Sequence, residues 1–275
     1  MQHLLDVLPV WLALVLFAAI PAIIAAVLHD AFRRFVKSDV LIPHHDVAGF
    51  LVSIVGLMFA VVLAFLVAAA WGNFDAAQRN ADTEASDVAE SFATAGVLPQ
   101  PTQRRVRTLL ADYAFRVRDF EWPLLAEDRQ DLRARDLLLK VFETVARAPI
   151  RHNASIGEAF DQSSSQQIVV NNLEAVSNDR RKRLIDAARQ IPGALYLALI
   201  FGWMLLTAFV FLFGCSRVLQ LTMTALVTGM IGLLFGVVVE FDRPYSNGLR
   251  VTSEAWTFVI ENNNMERFRT PVSAP

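Results

Sequence analysis

The residues able to do chemistry in this chain are few, and they cluster. His29-Asp30 and His44-His45-Asp46 bracket one short stretch, Asp75, Asp82, Glu84, Asp87 and Glu90 follow along another, and Arg180, Arg181, Lys182 and Arg183 form a basic run. A metal site would require the two histidine groups to meet, and the same residues could sense pH. The simpler expectation is polar residues at a membrane surface and no metal. The acidic run is expected to be a solvated helix face; in a ring of subunits it would concentrate cations at a mouth. The basic run is expected to anchor a helix end at the membrane. The sequence holds no nucleophile elbow, phosphate loop, dinucleotide glycine fingerprint or HExxH. No enzyme activity and no cofactor are expected. The single cysteine, Cys215, leaves no intrachain disulfide or zinc cluster to build and is expected to pack as a small hydrophobe.

These residues must be positioned by elements, and four long apolar stretches supply the frame: Leu4–Leu28, Val47–Trp71, Ile191–Phe213 and Leu219–Val239. Each is long enough to cross the hydrocarbon core, which takes about 20 residues. No Asp, Glu, Lys or Arg lies between Ala48 and Trp71, Pro192 and Phe213, or Leu219 and Val239. The 275 residues are 55% hydrophobic with a mean hydropathy of +0.41, above an ordinary soluble domain. Net charge is −2, which gives no reason to expect a nucleic-acid partner. The first stretch lacks a basic n-region and is too long for a signal peptide, so it is expected to stay as span one. The predicted layout is a first helix pair over residues 1–71, a polar helical region over 72–190, a second helix pair over 191–239 and a tail over 240–275.

Lys and Arg near span ends set orientation. The middle and tail carry Arg79, Arg180, Arg181, Lys182, Arg183, Arg189, Arg243 and Arg250; the connections carry Arg33, Arg34, Lys37 and Arg217. Eight against four places the middle region and both termini in the cytoplasm, with the chain multi-pass in the inner membrane.

The polar middle reads as helix. Ala77, Ala81, Ala85, Val88 and Phe92 continue the helical period beyond span two, so that span runs on as one long helix until Pro99-Gln100-Pro101 stops it. Thr102 is a candidate N-cap for the next helix. Its stripe, Val106, Leu109, Leu110, Tyr113, Val117 and Phe120, ends at Glu121-Trp122-Pro123. A shorter helix over about Leu132–Ala146 ends before Pro149. A last helix, with Ile168, Val169, Leu173 and Val176, returns to the membrane, and Pro192 suits the first turn of span three.

Span two carries the most information. Gly49, Ser53, Gly56, Ala60 and Ala64 share one face and suit close helix packing. Ile54, Met58, Val61 and Phe65 share a neighbouring face and could form the apolar neck of a pore. The absence of deep charge argues against a charge-coupled transporter. A hydrophobic neck that gates by dewetting needs no such charge.

After span four the sequence runs Glu240-Phe241-Asp242-Arg243-Pro244-Tyr245-Ser246-Asn247-Gly248, then Val251-Thr252-Ser253-Glu254-Ala255. This resembles the DRPF-x-G … V-S-x-E-A signature of the bestrophin-like family. His45, Gly49-Phe50, Gly56, Ala64-Phe65 and Trp71 agree with it, as do Tyr113, Glu121-Trp122-Pro123, Arg180, Arg183-Leu184 and Pro192. Tyr245 stands where Phe is usual, and Ser246-Asn247 separate it from Gly248. The family is distantly similar to bestrophins: pentameric anion channels with four spans per subunit, cytoplasmic termini and a pore lined by span two. The resemblance implies an all-α, bestrophin-like integral membrane protein that assembles as a homo-oligomer, a pentamer by analogy, in the lipid bilayer and passes ions, anions preferred. The acidic run that clasps calcium in animal bestrophins is missing, so calcium gating is not implied. The competing expectation is a non-conducting membrane scaffold or sensor whose cytoplasmic helices bind a partner.

Overall fold

The computed structural model describes residues 9–36, 45–127, 129–148, 156–213, 216–246 and 248–270. His44, Cys215, Pro149 and Asn247 lie outside them, as does Lys37. The described residues form nine α-helices and no strand: α1 Val10–Phe35, α2 His45–Thr94, α3 Thr102–Arg116, α4 Trp122–Leu125, α5 Leu132–Ala146, α6 Ile156–Ala188, α7 Gly193–Phe211, α8 Arg217–Asp242 and α9 Glu254–Asn262. Four helices are long and apolar enough to cross a membrane, so this is a four-pass, all-α membrane protein. α2 does continue unbroken well past Trp71.

The helices divide between two compact units. The first holds residues 1–74, 189–243 and 247–249. Its tightest seam joins α1 to α8. Gly229, Gly232 and Gly236 recur at helical spacing on α8 and let its backbone approach Phe17, Ala18 and Ala22. A Cβ on Gly232 would collide with the Phe17 carbonyl oxygen and stand 3.1 Å from the Trp203 ring. A second contact set packs Leu63, Leu66 and Ala70 of α2 with Leu199 of α7 and Val238 of α8. Asp242, at the last turn of α8, accepts from the Ile191 backbone N–H at 2.6 Å and from the Tyr196 hydroxyl at 2.9 Å. It thereby satisfies a donor just before α7 that no helix bond would reach.

The second unit holds residues 75–188, 244–246 and 250–275. Its core gathers the apolar stripes of α2, α3, α5, α6 and α9 around Leu110, Tyr113, Val141, Leu173 and Trp256. Asp131 caps α5 by accepting from the Arg133 N–H at 2.9 Å. Thr102 does not cap α3: it is the first helical residue, Pro101 precedes it, and no side-chain cap bond forms. The stripe of α3 does not stop at Glu121-Trp122-Pro123 either. The chain widens into one π-turn, Val117–Glu121, and resumes as α4, with Pro123 in the first turn where its missing N–H costs nothing.

The glycine seam makes a direct prediction. Gly232→Ala should destabilise the detergent-purified chain by about 1–3 kcal/mol through overpacking. Gly72→Ala, whose Cβ meets nothing within 4 Å, should be neutral or stabilising by up to about 1 kcal/mol from helix propensity. Thermal unfolding of the two variants checks the contrast; equal shifts would rule the seam out.

Candidate functional site

Charged residues lie at core positions of the second unit. Glu84 of α2, Glu121 at the end of the π-turn and Arg183 of α6 are fully buried, and Arg180 is nearly so. The Arg183 guanidinium forks onto Glu84, with Nε 2.5 Å from Oε2 and Nη2 3.2 Å from Oε1. The same Nη2 donates to Glu121 Oε2 at 2.7 Å. Arg180 donates to Glu121 Oε1, which also accepts the Asp131 backbone N–H at 3.2 Å. Tyr113 donates its hydroxyl to Glu84 Oε1 at 2.6 Å. Two carboxylates thus balance two guanidiniums, with Glu84, Glu121 and Arg183 closed to solvent.

Burial alone would lower the Arg183 pKa, but the Glu84 and Glu121 carboxylates outweigh it and hold the guanidinium charged. Burial, and then the Glu84 charge, push the Tyr113 hydroxyl well up, so it remains a donor. This corrects two expectations. Glu84 is not part of a solvated acidic face, and Arg180 and Arg183 are not membrane-surface anchors. Asp82 and Glu90 are exposed as expected.

An aromatic lid completes the cluster. The Arg183 guanidinium carbon sits 5.4 Å from the Trp122 ring centroid. Trp122 meets Tyr245 edge-on at 5.5 Å and donates its indole N–H to the Val251 carbonyl at 3.1 Å. Tyr245 donates to the Ala77 carbonyl at 3.3 Å. Motif residues far apart in sequence, namely Tyr113, Glu121, Trp122, Arg180, Arg183 and Tyr245, therefore converge on one clasp. Pro244 is buried beside them in sequence, while Asp242 serves the first unit as described, Arg243 is half-buried, and Pro123 and Gly248 are exposed. The clasp ties α2, the π-turn and α6 together, and no metal-binding cluster occurs among the described residues.

In the first unit, Gly49 and Gly56 face Phe213 and Leu206 of span three at ordinary contact distance. Ser53, Ala60 and Ala64 on the same face are exposed. Ile54, Met58, Val61 and Phe65 are 44%, 67%, 47% and 73% exposed. His29 departs from a surface role. It is buried, its Nδ1 lies 2.8 Å from Thr224 Oγ1, and its ring packs on Phe211 at 4.6 Å. Asp30 pairs with Arg34 at 3.1 Å and with Arg217 at 2.6 Å. The side chains of His45 and Asp46 lie outside the description, as His44 does.

The Bestrophin-like domain matches residues 15–256. The chain belongs to the bestrophin-like family. No curated protein matches the sequence. Among solved structures, a bacterial bestrophin homologue from Klebsiella pneumoniae is 15% identical, with a TM-score of 0.59 over 90% of this chain and 99% of that one. Two single-residue variants of a homologue from the same organism give 16% identity, TM-score 0.59, and 89% and 98% coverage, and 15% identity, TM-score 0.63, and 95% and 99% coverage. At such identity the likeness establishes the fold. Of the signature residues, Glu121, Trp122 and Tyr245 lie in the clasp and its lid.

These charges make two predictions. Arg183→Ala leaves Glu84 and Glu121 buried and short of a partner, and should cost about 3–5 kcal/mol. Arg183→Met combined with Glu84→Gln keeps the Glu121–Arg180 pair neutral and should cost less than Arg183→Met alone; the double-mutant cycle of these two changes in denaturant measures this. Asp87, half-buried, faces the buried Asp179, which pairs with Lys182 at 2.7 Å. Burial and then Asp179 raise the Asp87 pKa to about 6. A carboxyl raised in the folded state favours folding fully below its unfolded pKa, and that contribution is lost as pH rises through about 6. Asp87→Asn should therefore raise the melting temperature at pH 8 and lose that advantage below about pH 4. A gain that is flat with pH would contradict the assignment.

Proposed function

We propose that the chain is one subunit of an oligomeric passive ion channel, its pore lined by the second span, with anions preferred. What carries the reading is the two-sidedness of α2 in a bestrophin-like chain. Phe59, Leu63, Leu66 and Ala70 pack inward. Ile54, Met58, Val61 and Phe65 face away and stay exposed in a single copy. An exposed apolar stripe within a span can meet lipid, a neighbour or a pore. A ring of such subunits, five by analogy with bestrophins, turns that stripe into a dewetting neck. The small, exposed Ser53, Ala60 and Ala64 alongside it suit the approach of the next copy. The Lys and Arg bias supports a multi-pass inner-membrane protein with both termini and the second unit in the cytoplasm. On this reading, residues 1–71 and 191–239 form the membrane part, 72–190 the cytoplasmic helical part and 240–275 a cytoplasmic tail.

The test is flux from liposomes of the purified full chain. Chloride release should be measurable and should rise when Ile54, Met58, Val61 and Phe65 are changed to Ala together, because the neck widens. Detergent particles should be closed rings with α2 at the axis. A monomer, a two-fold dimer with α2 buried, or no flux in any salt from wild type and neck variant alike would sink the channel and leave the scaffold.

A further inference from the structure

The second unit carries a groove between α5 and α6, bordered by one clasp residue, Arg180. Its volume is about 680 Å³, within the range of ligand pockets. The walls are apolar. Leu139 is 53% exposed and Ile185 56% exposed, with Phe142 and Leu184 half-buried beside them. Two exposed guanidiniums line the same groove, and no acidic side chain does. Arg135 makes no ion pair among the described residues, and Arg181 bonds only the neutral Asn178, at 2.6 Å. Arg180, nearly buried, also lines it, and its Nε has no hydrogen-bond partner. Elsewhere in the second unit carboxylates pair closely with the buried Arg183 and the half-buried Arg116. Here two positive charges stand uncompensated over an aliphatic floor.

We infer that this groove binds a long-chain carboxylate, its anionic head held by Arg135 and Arg181 and its aliphatic chain laid along Leu139, Phe142 and Ile185. Guanidinium forks match a carboxylate. The apolar walls gain from covering exposed leucine and isoleucine. From Arg181 to Ala188 the α6 lining runs about 10 Å at 1.5 Å per residue, enough for the head-proximal part of an acyl chain. A neutral amphiphile would leave both guanidiniums unmatched.

The experiment uses the full chain in phosphatidylcholine liposomes with a photoactivatable long-chain fatty acid, and needs no conduction to read. Cross-links should map to peptides holding residues 138–142 and 184–188. Oleate should compete and oleyl alcohol should not. The double change Arg135→Gln and Arg181→Gln, at exposed positions, should cut groove labelling about tenfold, the loss expected from removing charge-assisted bonds. Labelling of the spans and the melting temperature should stay the same. Groove labelling that ignores the double change, or labelling confined to the spans, overturns the assignment. So does equal labelling of these peptides by a photoactivatable phospholipid, which would mean bilayer lipid. A Leu139→Cys disulfide between copies with no groove labelling would place a second copy there instead.

Discussion

Arg183 sits where a core residue should sit, and much of the second unit is arranged to tolerate it. A guanidinium in a dry interior is costly unless its charge is met. Glu84 meets it from the long helix, Glu121 from the π-turn, and Trp122 covers it from the side. The two carboxylates come from different stretches of chain, so with α6 itself the ion cluster fixes three elements in one register. A leucine at this place would let those helices slide; a bidentate fork does not. The cost of burial is exchanged for uniqueness of arrangement, a use of buried polar groups that is attested in some folds.

The first unit achieves its order by the opposite means. Its glycines remove side chains so that two backbones can meet, and its polar anchors sit near helix ends, where Asp242 caps the start of α7 and Thr224 meets His29. Within lipid, close packing and the few available hydrogen bonds must do what water exclusion does elsewhere. Bilayer chemistry thus favours small residues in one unit, while the other relies on matched charge.

The sequence exposed the four spans plainly, because a hydrocarbon crossing admits little but a long apolar run. The bounds of Leu132–Ala146 were equally visible, set between loop residues. The clasp was not, since Glu84 and Arg183 lie within charge runs that read as solvated faces. Their register carried the missing signal. Glu84 falls three residues after Ala81 and four before Val88, Glu121 four after Val117, and Arg183 seven after Val176. All three hold apolar-stripe positions. Weighing register above charge would have buried them. Span two has the longer run of small residues, yet the closest backbone approach belongs to Gly232 on span four, because Phe17 and Trp203 stand opposite it.

The π-turn at Val117–Glu121 interrupts an otherwise α-helical path from Thr102 to Leu125. A π-turn holds one residue more than the α-turn it replaces. Were the same residues to rewind as plain α-helix, the surplus residue would rotate the downstream chain by about 100°. Glu121 and Trp122 would then swing away from the buried arginines. The width of this one turn therefore aims the glutamate, while Phe120 beside it lies outside the clasp and carries the Arg116 guanidinium on its ring.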